Sequence, residues 1–124
     1  IFPKHQYCRD GAMTAAKMIE IVAIEGSLSS ILRKVPTYYL EKRKVHCPDS
    51  RKEAILKEVC EAFTDQRFDT TDGVKVFFDE GWTLIRPSGT EPIFRVYSEG
   101  RTKKAAKKMA DECERTLKEL LEKD

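Results

Sequence analysis

Seven consecutive residues, Arg86-Pro87-Ser88-Gly89-Thr90-Glu91-Pro92, concentrate side chains that recognise anions, and Arg95 follows shortly after them. Arginine presents a planar fork of N–H groups that binds phosphate oxygens in pairs. Ser88 and Thr90 add hydroxyl donors. Gly89 has no side chain, so the backbone comes close to an anion and lines a nest with successive N–H groups. Pro87 and Pro92 fix φ on both shoulders and lower the ordering cost of binding. Glu91 is out of place in a simple anion cradle. A carboxylate there either orients an arginine or accepts a hydrogen bond from a sugar hydroxyl. The same composition also describes a rigid surface turn, because Pro, Ser, Gly and Thr are frequent turn formers. The connection reads as about six residues, longer than the two to five of an ordinary hairpin, and the extra length favours function.

Strands must hold this loop from both sides. "GWTLI" before it and "IFRVYSEG" after it alternate as strands do, and "RFDTTDGVKVFFDEGWTLI" predicts three short strands with turns at Asp72-Gly73 and Glu80-Gly81. Upstream, "TYYLEKRKVHC" is strand-like at its ends and charged in its middle, as suits an edge strand. "PDSRKEAILKEVCEAF" predicts a helix with a Ser50/Glu53 capping box and a stripe of Ile55, Val59, Ala62 and Phe63. "TKKAAKKMADECERTLKELLEK" predicts a long amphipathic helix with the stripe Ala106, Met109, Cys113, Leu117, Leu120 and Leu121. From residue 37 the order is therefore β-α-β4-α, an α+β domain with helices covering one face of an antiparallel sheet. Residues 1–36 read as a separate helical piece. Asp10 caps "GAMTAAKMIEIVAIEG", whose Met18, Ile21 and Ile24 add to the stripe of Ala12, Ala15, Ala16, Ile19, Val22 and Ala23 and predict burial on more than one side. Gly26 ends that helix. "SLSSILRKV" follows as a short second helix stopped by Pro36.

The bulk numbers exclude several classes. Charged residues make up 35% of 124 and nearly cancel, leaving a formal net charge of +2. That balance suits a soluble domain of ordinary size with an extra piece, and lacks the concentrated basic footprint of a nucleic-acid binder. No apolar run is long enough for a membrane span and no signal peptide is apparent. The opening "IFPKHQYCRDG" has no Met and starts on apolar residues, which reads as a fragment of a longer chain. Cys8, Cys47, Cys60 and Cys113 form no CxxC pair and read as reduced thiols packed as small apolar groups. His5, Cys8, His46 and Cys47 fit no zinc module, and no metal is expected on this chain. Trp82, at alternate spacing with Leu84, predicts core or domain-interface packing rather than a sugar platform. Lys103, Lys104, Lys107 and Lys108 read as a solvated helix face paired with Asp111, Glu112 and Glu114.

"RPSGTEP" followed by "IFRVYSEG" resembles the phosphate-binding loop in the last domain of the α-D-phosphohexomutase superfamily. "IFPKHQYCRDGAMTAAKMIEI" looks like the end of that family's third, sugar-binding domain. The "DTTDG" to "SGTEP" run is similar to archaeal phosphomannomutase, phosphoglucomutase and phosphoglucosamine mutase members. The resemblance spans essentially the whole chain. It implies a TATA-binding-protein-like fold for residues 37–124 and a third-domain remnant at 1–36. It implies a cytoplasmic parent enzyme that moves a phosphoryl group between the 1 and 6 positions of a hexose through a bisphosphorylated intermediate. Arg86, Ser88, Gly89 and Thr90 would hold the phosphate that is not reacting, with Arg95 as an added cation and Glu91 and His5 as accessory groups. More simply, His5 is structural or solvent-facing. The family's phosphoserine loop, its Mg²⁺ loop and its sugar-reading loop have no counterpart in this sequence. By that resemblance no catalytic residue lies here, Mg²⁺ binds elsewhere in the parent, and the chain alone is inactive. Its partners are then a hexose phosphate and the parent's remaining domains.

Readings of a different class stand beside this one. The same loop on a non-catalytic α+β module would bind another phospholigand or a nucleic-acid backbone, and a basic, aromatic-rich open sheet face would support that. "VKVFFDEGW" places Asp79 and Glu80 in the exposed region, so no such face, no nucleic acid and no membrane partner are expected. Loss of Arg86 would have marked a purely structural domain, and Arg86 is present.

Overall fold

The computed structural model describes residues 1–123. They form two compact units, one of Ile1–Pro36 and one from Thr37 onward. The first holds α1 (Gly11–Glu25) and α2 (Leu28–Leu32). Asp10 caps α1 by accepting from the Met13 N–H at 2.8 Å, which together with Gln6 and His5 holds its carboxyl below the usual range. Gly26 ends the helix at φ 93°, a left-handed conformation that a β-carbon disfavours. Burial on several sides, expected from the apolar pattern, does not occur. No residue of α1 is buried, and Ile19 and Ile24 are 71% and 75% exposed. Two short helices are too small to enclose one another's side chains.

The second unit runs β1 (Tyr39–His46), a 3₁₀ turn (Asp49–Arg51), α3 (Lys52–Ala62), β2 (Phe68–Asp69), β3 (Val74–Phe78), β4 (Gly81–Pro87), β5 (Ile93–Gly100) and α4 (Lys103–Leu121). The strands form one antiparallel sheet in the order β1-β5-β4-β3-β2. The α+β class and the β-α-β4-α order follow directly from the strand and turn signals. α4 packs on β1, β5 and β4, and α3 packs on α4 and β3, so both helices lie on one face of the sheet. Along β5 the pleat alternates: Phe94, Val96 and Ser98 are buried under the helices, and Ile93, Arg95, Tyr97 and Glu99 lie on the open face.

The core joins Val45, Val74, Val76, Ile85, Phe94 and Val96 of the sheet to Ile55 and Val59 of α3 and Cys113 and Leu117 of α4. Burying one such side chain stabilises the fold by about 1.5–3 kcal/mol. Gly81 and Gly100 face each other across β4 and β5. A β-carbon on Gly100 would stand 2.9 Å from the Ala106 nitrogen, so this glycine lets the first turns of α4 come down on the sheet. Ala105 and Ala110 are buried there too, beyond the predicted stripe. Thr83 and Ser98, also opposite each other, share a hydrogen bond of 2.6 Å that satisfies both buried hydroxyls.

Two helix expectations need correction. Ser50 and Glu53 form no capping box. Asp49–Arg51 is already helical, so Ser50 sits inside the turn rather than at its extended entry, which Pro48 provides. The stripe of α3 includes Leu56 and Cys60 in place of Ala62, which is exposed. β1 is an edge strand, as its charges suggested. On its helix side Arg43 bonds Glu41 at 2.6 Å and lies 3.5 and 3.4 Å from Asp111 and Glu114 of α4. That ionic cluster, rather than apolar burial, ties the strand's middle to the helix.

Candidate functional site

The connection between β4 and β5 is Ser88–Pro92, five residues and not six, because Arg86 and Pro87 belong to β4. Both arginines therefore stand on strands. Arg86 pairs with Arg95 across β4 and β5, and Arg95 pairs with Lys44 across β5 and β1. The pleat puts all of them on the open face, in one row at the mouth of the loop. Like charges directly opposite one another destabilise a sheet, so this row needs counter-charge.

Each cation is held by a carboxylate. Arg86 Nε lies 3.1 Å from Asp72 Oδ1, at the tip of the β2–β3 turn. That turn packs tightly. Gly73 has φ +84°, and a β-carbon there would stand 2.4 Å from the Ile85 carbonyl oxygen and 3.0 Å from Arg86 Cα. The Asp72-Gly73 pair, a hairpin signal in the sequence, thus also brings the carboxylate to Arg86. Arg95 Nη2 lies 2.7 Å from Glu91 Oε2, and Lys44 Nζ lies 3.3 Å from Glu91 Oε1. The Arg95 guanidinium, then Lys44, holds the Glu91 carboxyl below its usual range, and Glu91 in turn raises Arg95. Of the two roles open to Glu91, orienting an arginine is the one seen. Arg95 Nε is buried and has no hydrogen-bond partner among the described residues, an unsatisfied donor of the kind found at functional sites.

The loop's own polar groups turn inward at Ser88, which is buried. Its Oγ accepts from the Thr90 and Glu91 N–H groups at 3.5 and 3.3 Å and from Arg95 Nη2 at 3.3 Å. These converging donors make a nest of the type that holds anions, here closed on a serine oxygen. Gly89 and Thr90 are exposed at the tip, and a β-carbon on Gly89 would meet nothing within 4 Å. Neither packing nor a positive φ requires glycine at that position.

Arg86, Ser88, Gly89, Thr90, Glu91 and Arg95 thus come together. His5 lies in the first unit, where its Nε2 is 3.2 Å from Asp10 Oδ2. Lys44, Lys52 and Asp72 were missed. Asp72 had a signal as a turn residue. Lys44 needed the register of β1 on β5, and Lys52 is 36 residues from its loop partner.

The open face also departs from expectation. Asp79 and Glu80 sit in the β3–β4 turn and not on the face. Trp82 and Leu84 point outward, opposite in phase to the buried Thr83 and Ile85, and the indole N–H donates to Glu99 at 3.1 Å. The face is consequently basic and aromatic. Its rings lie beneath cations: Lys75 is 4.1 Å from the Trp82 ring centre, Arg67 4.2 Å from Phe77 and Lys42 5.8 Å from Tyr97.

No group of three or more His, Cys, Asp or Glu suited to a metal occurs among the described residues, and none of their helices is long and apolar enough to cross a membrane. All four cysteines are free, with Cys47 and Cys113 buried and Cys8 exposed.

The family described as "Phosphoglucomutase/phosphomannomutase, C-terminal domain" matches residues 43–116. The chain belongs to this family. A "Phosphoglucomutase/phosphomannomutase" of Thermococcus kodakarensis is 43% identical, over 98% of this chain and 27% of the relative. A "Phosphoglucosamine/phosphogalactosamine mutase" of Sulfurisphaera tokodaii is 38% identical, over 94% of this chain and 27% of the relative. The chain therefore spans about a quarter of the length of these curated relatives. The fold is shared with a solved phosphoglucomutase/phosphomannomutase family protein of Burkholderia thailandensis, at TM-score 0.74 and 23% identity over 92% of this chain and 24% of the other. Within the phosphoglucomutase/phosphomannomutase C-terminal domain defined by residues 43–116, the matched segment contains the whole loop and every cation and carboxylate that surrounds it.

Proposed function

We propose that this chain is the substrate-phosphate grip of a phosphohexomutase that interconverts hexose 1-phosphate and 6-phosphate through a bisphosphorylated intermediate. The observation that carries the reading is the in-register row of Lys44, Arg95 and Arg86 at the mouth of an exposed loop. Its self-repulsion is relieved by an anion. Arg86, Arg95, the Gly89 and Thr90 backbone and the Thr90 hydroxyl form the seat, and Ser88 reaches the same anion by turning about its Cα–Cβ bond. Charge and generic donors grip a phosphate without reading the sugar, so the intermediate is held in either orientation. In this assignment residues 37–124 are the TATA-binding-protein-like last domain and residues 1–36 the end of the third. The phosphorylated serine, the Mg²⁺ site and the sugar-reading loop belong to the rest of a cytoplasmic enzyme. His5 has a structural role beside Asp10.

A second reading rests on the basic, aromatic open face, which suits a single-stranded nucleic acid. It is the weaker one, because the rings lie under lysine and arginine side chains instead of standing free for stacking.

Titration of the chain with glucose 6-phosphate, mannose 6-phosphate and inorganic phosphate, followed by amide NMR, tests both. The expected result is millimolar binding, on the order of 4 kcal/mol, with shifts confined to residues 88–91 and abolished by Arg86→Ala. A thymidine oligonucleotide that binds more tightly than phosphate and shifts Trp82, Phe77 and Tyr97 would transfer support to the second reading. Silence at the loop with every phosphate would sink the first.

A further inference from the structure

Lys52 opens α3, far in sequence from the loop, yet its side chain is 12% exposed and its ammonium lies beneath the loop. Nζ donates to the Ser88 carbonyl oxygen at 2.5 Å and to the Glu91 carbonyl oxygen at 2.7 Å, and lies 2.6 Å from Asp49 Oδ1. An ammonium has three protons to give, so all of them are committed. Two of them hold the backbone on either side of the loop's tip. The Glu91 carbonyl is further fixed by the Ile93 N–H at 2.8 Å, and the Pro92 carbonyl by the Cys47 N–H at 2.9 Å.

The consequence lies in the peptide plane. In a trans peptide the carbonyl of one residue and the N–H of the next point in opposite directions, and no cis peptide occurs among the described residues. Drawing the Ser88 carbonyl inward turns the Gly89 N–H outward, at an exposed position with no side chain in the way. Nothing within the loop itself fixes the Ser88 carbonyl in that direction.

We infer that Lys52 is a positioning residue for phosphate binding: by holding the Ser88 and Glu91 carbonyls it presents the Gly89 N–H to the anion. This rests on the loop being the phosphate seat. Lys52 need not touch the ligand.

The test compares the unsubstituted chain with Lys52→Met, Lys52→Gln and Arg86→Ala, by amide NMR with inorganic phosphate as the probe. Lys52→Met removes every donor. Lys52→Gln keeps two weaker neutral donors and serves if the methionine variant does not fold. The expected result is phosphate binding weakened about tenfold in Lys52→Met and less in Lys52→Gln. Before any phosphate is added, the Gly89 amide signal should also have moved, with the signals of Phe94 and Val96 in place. Both effects are required. A folded variant with unchanged phosphate affinity, or with an unmoved Gly89 amide, overturns the inference. If Arg86→Ala loses binding while the Lys52 variants keep it, the phosphate seat stands and the role of Lys52 falls. If the unsubstituted chain itself gives no phosphate response, both fall together.

Discussion

Asp72→Asn should strengthen phosphate binding. Asp72 touches Arg86 at 3.1 Å, and the two side chains are 61% and 52% exposed. An ion pair this open contributes about 0.2–1 kcal/mol. An incoming phosphate must displace that pairing or share the guanidinium with it. Removing the carboxylate charge therefore returns up to about 1 kcal/mol to the anion, about fivefold at most, since 1.4 kcal/mol is tenfold. The asparagine still offers an oxygen to Arg86, so the side chain keeps its direction. Global stability should change little, because the lost pair is a surface one and the turn is shaped by Gly73. The assay is a phosphate titration of both chains at low and high sodium chloride. The gain should be about two- to fivefold at low salt and shrink as salt screens the carboxylate. Weaker binding by the asparagine variant would refute the reasoning: Asp72 would then aim Arg86 at the phosphate rather than compete for it.

Phe94 is fully buried between the sheet and the helices, so Phe94→Ala should cost about 3–5 kcal/mol, a large share of a domain's stability, read from urea unfolding. Ile93→Ala, one residue away on the open face, should cost far less, and equal costs would contradict the pleat described for β5. The Cys113 thiol is pushed up to about 12 by burial, so alkylation of the native chain should mark Cys8 first and leave Cys113 until unfolding. Because the unfolded thiol ionises near 9 while the folded one stays neutral to about 12, the unfolded state binds fewer protons across that window. Stability should therefore fall as pH rises through it, and a flat profile would show that Cys113 is not held neutral.

The order of elements along the chain, the turns and the loop were legible because each rests on local chemistry. Alternation marked β3, β4 and β5, and Asp72-Gly73 and Glu80-Gly81 marked the reversals between them. The arginines, hydroxyls and glycine that residues 86–95 bring together were likewise written in side-chain types. The pairing of strands was not. That Lys44, Arg95 and Arg86 share a row depends on register, and β1 precedes β5 by nearly half the chain. The alternation of Trp82 and Leu84 was visible, but the opposite phase faces the helices: Ile85 is buried there with Val74, Val76, Phe94 and Val96, and Thr83 is accommodated among them by its hydrogen bond to Ser98. The Ser50/Glu53 box failed because a 3₁₀ turn after Pro48 moved the helix entry upstream. The exposure of α1 shows the limit of periodicity. An apolar pattern states that a helix seeks a partner surface, and residues 1–36 do not supply one.

The proposed phosphate seat is compatible with a formal net charge of only +2, because its cations are balanced locally. Arg86 has Asp72, Arg95 and Lys44 share Glu91, and Lys52 has Asp49. Each carboxylate comes from a turn or from the loop, while the paired arginines come from strands. The cations are thus fixed and their counter-charges sit on the more adjustable elements. A phosphate monoester carries about −1.5 to −2 charges near neutral pH, against one for a carboxylate, so exchanging carboxylates for phosphate at this row is favourable. The displaced carboxylates gain water in return. Binding would then be a small difference between two ionic arrangements, in keeping with the millimolar affinity, on the order of 4 kcal/mol, expected of the titration. The bisphosphorylated intermediate proposed above, gripped by either end in turn, would require that balance. Neutralising Asp72 should tilt it toward retention.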